Sequence, residues 1–463
     1  MSIDSKRDGF KSRTGFILAC IGSAVGMGNI WRFPILVSKF GGLTFLLPYF
    51  VFVVLIGSTG VMEEFALGRA AGEGPMGAFG MCTESRNGNK KIGSAIGIIP
   101  VFGSLMMAIG YTVIFGWICK YCVMAISGSM YGLGTDMDLI GATFGATAPE
   151  ADSLGQAVGM MFQNGVIGIG NAGWQLIGLL IALVIMGFGI AGGVEKANKV
   201  MMPLLFGLFL LLGIYILFLP GSSEGYKYIF TFSAEGIADP QVWIYAFGQA
   251  FFSLSVAGNG SVIYGSYLNA QEDIPFSARN VAIFDTLAAL LAMCVILPAM
   301  AAGGVEPSSG GPGLMFIYLV NIFNAMPGGR IVGMIFFICV LFAGVSSLIN
   351  LYEAPVAMLQ EKINFSRIPA VLLIGLVGAI VSLLIQPWTS QWMDLVSIYI
   401  CPLGAFLAGL MFFWVLQKDK AMAAVNQGAK KEVGGWFYPL GKYIYCLAAV
   451  IALVAGALLG GIG

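Results

Sequence analysis

Apolar residues come in long blocks along this chain, separated by short polar stretches. A helix needs about 20 apolar residues to cross a bilayer. Eleven blocks qualify, near 15–37, 42–68, 93–127, 174–190, 199–219, 241–268, 277–302, 331–359, 368–386, 392–416 and 439–460. They are called spans 1 to 11 below. The pattern therefore predicts an all-α polytopic membrane protein with 11 transmembrane helices.

Two spans carry residues that a plain membrane helix does not need. Span 1 contains Gly22-Ser-Ala-Val-Gly-Met-Gly-Asn29, followed by Trp31-Arg32-Phe33-Pro34. Each glycine costs about 1 kcal/mol against alanine in a helix. Non-helical backbone is tolerated at membrane depth only where protein buries it or a polar cavity faces it. Taken alone, this stretch fits either a broken helix or a kinked, small-residue packing face. Span 6 repeats the feature at Phe251-Phe-Ser-Leu-Ser-Val-Ala-Gly-Asn-Gly-Ser261. Breaks in spans 1 and 6 occupy corresponding places in two five-helix halves, which points to an inverted-repeat transporter. The expected layout is a single transmembrane domain over 1–463. Its first repeat covers 15–219, its inverted second repeat 241–416, and 439–460 is an additional helix.

Composition agrees with a membrane protein rather than a soluble enzyme: 58% of residues are apolar and 10% charged. Net charge is zero, so nothing suggests nucleic acid. Histidine is absent, which removes histidine triads, most zinc sites and histidine proton relays. With no convincing nucleophile–base pair either, no enzymatic activity is expected. Cys119 and Cys122 form a C-x-x-C, but on a membrane helix, where structural thiols are expected. No cleavable signal peptide is visible.

Charge sets the expected orientation. With the N-terminus inside, the inner segments hold eighteen of the 23 basic residues, and Lys39, Lys120, Lys227 and Arg330 fall outside. The long outer loop near 128–173 has acidic residues and no Lys or Arg. The expected placement is the plasma (inner) membrane of the cell, with a cytoplasmic N-terminus and an extracytoplasmic C-terminus.

The motif G-S-A-V-G-M-G-N-x-W-R-F-P in span 1 resembles the signature of neurotransmitter:sodium symporters, a family that includes bacterial amino-acid transporters of the LeuT fold. Further matches follow in order: Pro48-Tyr49 and Glu64-Phe-Ala-Leu-Gly-Arg69, Tyr111 and Trp117, Gly193 and Pro203, Phe252-Ser-Leu-Ser255, and Phe342-Ala-Gly-Val-Ser-Ser347. The resemblance implies symport of sodium with an amino acid by alternating access. It implies one sodium site from Ala24, Asn29, Ser253 and Asp285, and a second from Gly22, Val25, Ala343, Ser346 and Ser347. A substrate carboxylate would meet Met27, Gly28 and Tyr111, and a substrate amine would meet Ala24, Phe252 and Ser253, with Ser255 nearby. Gly26 stands where monoamine carriers have Asp, so the substrate should bring its own carboxylate, because a second anion would repel it. Met107, Phe252, Leu351 and Gly258 would surround its side chain. Three are apolar, and Gly258 replaces a bulky residue, so a hydrophobic and even aromatic amino acid is expected unless Met107 or Asn259 fills the space.

The same resemblance implies an outer gate of Arg32 and Asp394, and an inner gate of Arg7 with Glu361, with Ser266, Tyr267 and Glu353 tying span 6 to span 8. Gly193 and Pro203 would let the start of span 5 unwind. Glu64 should accept hydrogen bonds from the freed amides of span 6. Asp285 departs from the usual Asn and would supply negative charge itself, so chloride is not required. Tyr49, Gln249 and Ser253 outline a chloride pocket and keep the other possibility open. The competing functional readings are a non-transporting receptor or scaffold of the same fold, and a symporter for a different amine or carboxylate.

Overall fold

The computed structural model describes residues 8–26, 28–256, 259–304 and 313–459. Among them every regular element is helical, as expected for an all-α membrane protein. Among the described residues seven helices are long and apolar enough to span a bilayer: Gly42–Ala71, Lys90–Ser127, Ile190–Leu217, Ile274–Ala302, Gly329–Lys362, Arg367–Val415 and Phe437–Leu459. The pair Arg13–Ala24 and Gly28–Phe40 forms one bent span. Span 4 is the shorter helix Ala172–Gly187, and span 6 is divided into Pro240–Ser253 and Gly260–Ser266.

Spans 9 and 10 follow one another without a break in helical structure. They lie on one helical stretch, Arg367–Val415, with a 3₁₀ turn at Gln386–Trp388. Forty-nine residues in a straight helix would reach about 74 Å, far beyond a hydrocarbon core of about 30 Å. The Gln386-Pro387-Trp388 turn is the natural place for the chain to reverse. Short helices outside the apolar blocks, such as Met137–Thr147, Leu154–Asn164 and Ser222–Ile229, were not visible in the hydropathy pattern.

Prolines inside spans create carbonyls with no helical donor four residues on. Two are served by neighbouring helices. Pro355 frees the Leu351 carbonyl, which accepts from Ser104 Oγ of span 3 at 2.8 Å. Pro298 frees the Cys294 carbonyl, which accepts from the Tyr226 hydroxyl at 3.1 Å. Span 3 is further tied to span 8 by the Thr112–Tyr352 hydroxyl pair at 2.8 Å. Gly344 lets Phe115 press against span 8, since a β-carbon there would lie 2.6 Å from the ring.

Span 2 and the second half of span 6 approach backbone to backbone. A β-carbon on Gly68 would overlap the Val262 carbonyl oxygen and lie 2.8 Å from Ser266 N, and one on Gly265 would lie 2.6 Å from Phe65 O. Backbone cannot yield as a side chain can, so Gly68→Val should exceed the usual overpacking cost of about 1–3 kcal/mol. We expect loss of the monodisperse size-exclusion peak after mild heating that leaves the wild type intact. A peak of unchanged thermal midpoint would contradict this contact.

Candidate functional site

The two broken spans meet at mid-depth. The halves of span 1 lie at 65° to each other. The end of the first half leaves carbonyls, and the start of the second leaves amides, without helical partners. In span 6, Ser255 and Asn259 have φ of +56° and +55°. That left-handed conformation is tolerated by asparagine and disfavoured for serine. Ser255 Oγ donates to the Ser23 carbonyl at 2.9 Å, linking the two breaks. Asn259 Nδ2 donates to Glu64 Oε1 at 2.9 Å, and Glu64 Oε2 is buried with no hydrogen-bond partner among the described residues. Glu64 thus ties the start of the second half of span 6 to span 2 through the Asn259 side chain. Asn259 is turned toward span 2, so its side chain does not fill the cavity. Gly258 and Met27 lie outside the described residues.

Asn29, Ser253 and Asp285 form one buried cluster, each at most 1% exposed. Ser253 Oγ donates to Asp285 Oδ2 at 2.7 Å, and Asn29 Nδ2 donates to Asp285 Oδ1 at 2.8 Å and to Ser253 Oγ at 3.0 Å. Asn29 Oδ1 accepts from Gly26 N–H at 3.1 Å. Gln249, buried alongside, donates to the Gly28 carbonyl at 3.1 Å. Three of the four residues expected to form the first sodium site, Asn29, Ser253 and Asp285, are thus drawn together from spans 1, 6 and 7, and Ala24 lines the cavity beside them.

The second expected group lies between spans 1 and 8. A β-carbon on Gly22 would sit 3.0 Å from Ser346 Cβ, and one on Gly26 would sit 2.7 Å from Ser347 Oγ. Ser346 Oγ donates back to the carbonyls of Phe342 and Ala343, at 2.9 and 3.1 Å. Ser347 Oγ is buried without a hydrogen-bond partner among the described residues. A hydroxyl oxygen is a ligand that suits a hard cation.

Between these groups lies a cavity of about 50 Å³, room for a few waters. Of the residues expected at the substrate site, Ala24, Gly26, Gly28, Met107, Tyr111, Phe252, Ser253, Ser255 and Leu351 line it. Ser23, Gly260 and Asn350 line it as well and were missed. Asn350 stands four residues after Ser346, on the same helix face, and that spacing was the available signal. Its amide nitrogen is buried with no partner among the described residues.

The two groups expected to act as gates are arranged differently. The Arg32 guanidinium lies 5.0 Å from the centre of the Phe252 ring, over the cavity. No ion pair within 4.0 Å joins it to Asp394 among the described residues; Asp394 acts on it only at longer range. The expected direct outer pair is therefore corrected to a cation–ring contact, with Asp394 standing off. Of the group expected at the inner gate, Tyr267 donates to Glu353 Oε1 at 2.6 Å. Arg367, which the sequence reading did not include, grips Glu353 with both terminal nitrogens at 2.5 and 2.8 Å. Ser266 does not reach span 8 by its hydroxyl; that group returns to the Ile263 carbonyl at 2.7 Å, the usual local bond of a helical serine. Arg7 lies outside the described residues, and Glu361 accepts from Gly74 N–H at 2.9 Å.

At span 5, Gly193 belongs to the π-turn Ile190–Val194 and Pro203 to the helix that follows. The segment before span 1 is pinned there. Glu195 accepts from Lys11 N–H and Ser12 Oγ, both at 2.7 Å, and Asp8 accepts from Ala191 N–H at 3.1 Å.

Broken helices that meet around a buried polar cavity place the molecule among secondary membrane transporters. The model of the sodium:neurotransmitter symporter family matches residues 7–131 and 147–458, and the chain belongs to that family. It is 29% identical over 465 residues to an uncharacterized sodium-dependent transporter of Methanocaldococcus jannaschii, covering 97% of this chain and 89% of the relative. A second uncharacterized sodium-dependent transporter, from Bacillus subtilis, is 29% identical over 460 residues, with 96% of each chain covered. Among solved structures, that of MhsT in complex with L-phenylalanine superposes with a TM-score of 0.80 at 32% identity, covering 97% of this chain and all of that one. The LeuT fold and a multi-pass membrane location follow.

Proposed function

We propose that this transporter couples inward sodium movement to import of a hydrophobic amino acid, bulky or aromatic side chains included, by alternating access. The observation that carries the reading is the buried Asn29–Ser253–Asp285 cluster at the meeting of two broken helices. A cation there replaces the Asn29 amide protons as the positive partner of Asp285. The carboxylate of a bound amino acid completes that site, which makes substrate and sodium binding mutually dependent. Gly22, Val25, Ala343, Ser346 and Ser347 hold a second sodium. Asp285 offsets the cation charge, so chloride is not required.

The apolar walls Met107, Phe252 and Leu351 support a hydrophobic side chain. The structural relative was crystallised with L-phenylalanine, an amino acid of that kind. A close inner side with Arg32 and Asp394 apart supports a resting form closed toward the cytoplasm. The inverted repeats are 15–219 and 241–416, in the plasma membrane, with the N-terminus in the cytoplasm.

Sodium-dependent binding of labelled tryptophan to purified protein tests the reading. Binding should appear in sodium chloride and be absent in potassium chloride. Tyr111→Phe should weaken it about tenfold or more, since a hydrogen bond to a charged group contributes about 1.5–3 kcal/mol. Equal binding in both salts would overturn the coupling, and an unchanged Tyr111→Phe would remove that hydroxyl from the carboxylate site.

A further inference from the structure

Asn198 on span 5 is fully buried, and its side chain points at Gly22 of span 1. Asn198 Nδ2 donates to the Val194 carbonyl at 2.9 Å, one turn back. That bond fixes the amide, so the oxygen is the end that faces span 1. Asn198 Oδ1 overlaps the place where a β-carbon on Gly22 would lie, and that place is 3.0 Å from Ser346 Cβ. The oxygen is buried and accepts no hydrogen bond among the described residues. A buried amide oxygen without a partner is unfavourable, and an apolar side chain of similar shape would pack among these helices without that penalty. The back-bond to Val194 needs only the nitrogen.

We infer that Asn198 Oδ1 is a further ligand of the sodium held by Gly22, Val25, Ala343, Ser346 and Ser347. The inference rests on the proposed assignment of that site. It adds a neutral oxygen from a third helix to a set otherwise drawn from spans 1 and 8. A hard cation gains from each added oxygen, and Gly22 supplies the space because any side chain there would collide with Asn198. The ligand also connects the ion to span 5. The same amide holds the ion with its oxygen and the π-turn Ile190–Val194 with its nitrogen, so losing the ion frees Asn198 just where Gly193 weakens the helix.

The test is sodium titration of purified full-length protein without substrate, read by ²²Na⁺ binding and by the shift in thermal midpoint. Four variants are compared at pH 8: Asn198→Leu, Asn198→Asp, Ser346→Ala and Ser347→Ala. Asn198→Leu should raise the sodium midpoint about tenfold. Asn198→Asp, which keeps the oxygen and adds charge, should restore it to the wild-type value or below. A purely structural asparagine would not give that rescue. If Asn198→Leu does not fold, a sodium midpoint in Asn198→Asp above the wild type overturns the inference, and one at or below it supports the inference. If the serine variants weaken sodium binding and Asn198→Leu does not, Asn198 is no ligand and the site stands. If neither serine variant changes sodium binding, the site assignment falls and the inference falls with it.

Discussion

Asp285→Asn is expected to lower sodium-driven uptake in chloride-free medium at least a hundredfold, with part of it recovered when chloride is supplied. Asp285 is wholly buried, and its oxygens accept from Asn29 and Ser253 at 2.8 and 2.7 Å. Removing one partner of a buried charge pair costs about 3–5 kcal/mol, and each 1.4 kcal/mol is about tenfold in affinity. The sodium midpoint should therefore rise by two orders of magnitude or more. Tyr49 and Gln249 are buried around the same place. With the carboxylate neutralised, a chloride there meets no like charge and can offset the cation instead. Uptake in sodium gluconate and in sodium chloride, normalised to folded protein, reads both effects. Undiminished uptake in gluconate would mean that Asp285 is not the compensating charge.

Glu353→Gln should release the inner gate. Glu353 has no exposed side chain, accepts from Tyr267, and faces both terminal nitrogens of Arg367, itself 17% exposed. The variant leaves a mostly buried guanidinium without its counter-charge, again about 3–5 kcal/mol. If that pair forms only in the form closed to the cytoplasm, the balance moves toward the open form by about two to three orders of magnitude. Amide hydrogen exchange should speed up in peptides covering 8–24 and 260–268, and net uptake should fall. Unchanged exchange in both peptides would show that the pair is structural and not a gate.

Sequence and structure agree best where one physical rule dominates. Apolar length alone predicts an all-helical membrane protein, because bilayer thickness fixes span length. At Arg367–Val415 hydropathy marks a gap between two spans, and there the backbone stays helical through a 3₁₀ turn. The two breaks are legible because glycine and asparagine are costly in a helix interior. The partners of those breaks are another matter. Asn29, Ser253 and Asp285 lie on three spans, and only the family resemblance brought them together before the fold did. Asn198 carried no motif, and a lone asparagine in a membrane helix reads as a packing residue until its neighbours are known. Arg367 looked like one of many inner charges, since the positive-inside rule places it without naming a partner. The Arg32–Asp394 separation was not legible at all, because a gate has more than one arrangement and a sequence encodes them together.

The central claim is best tested by uptake of labelled tryptophan, leucine and alanine into proteoliposomes under inward gradients of sodium chloride, sodium gluconate or potassium chloride. The account predicts uptake with both sodium salts, none with potassium, and tryptophan ahead of alanine. Accumulation of any of the three at the same rate under potassium chloride would contradict sodium-coupled import.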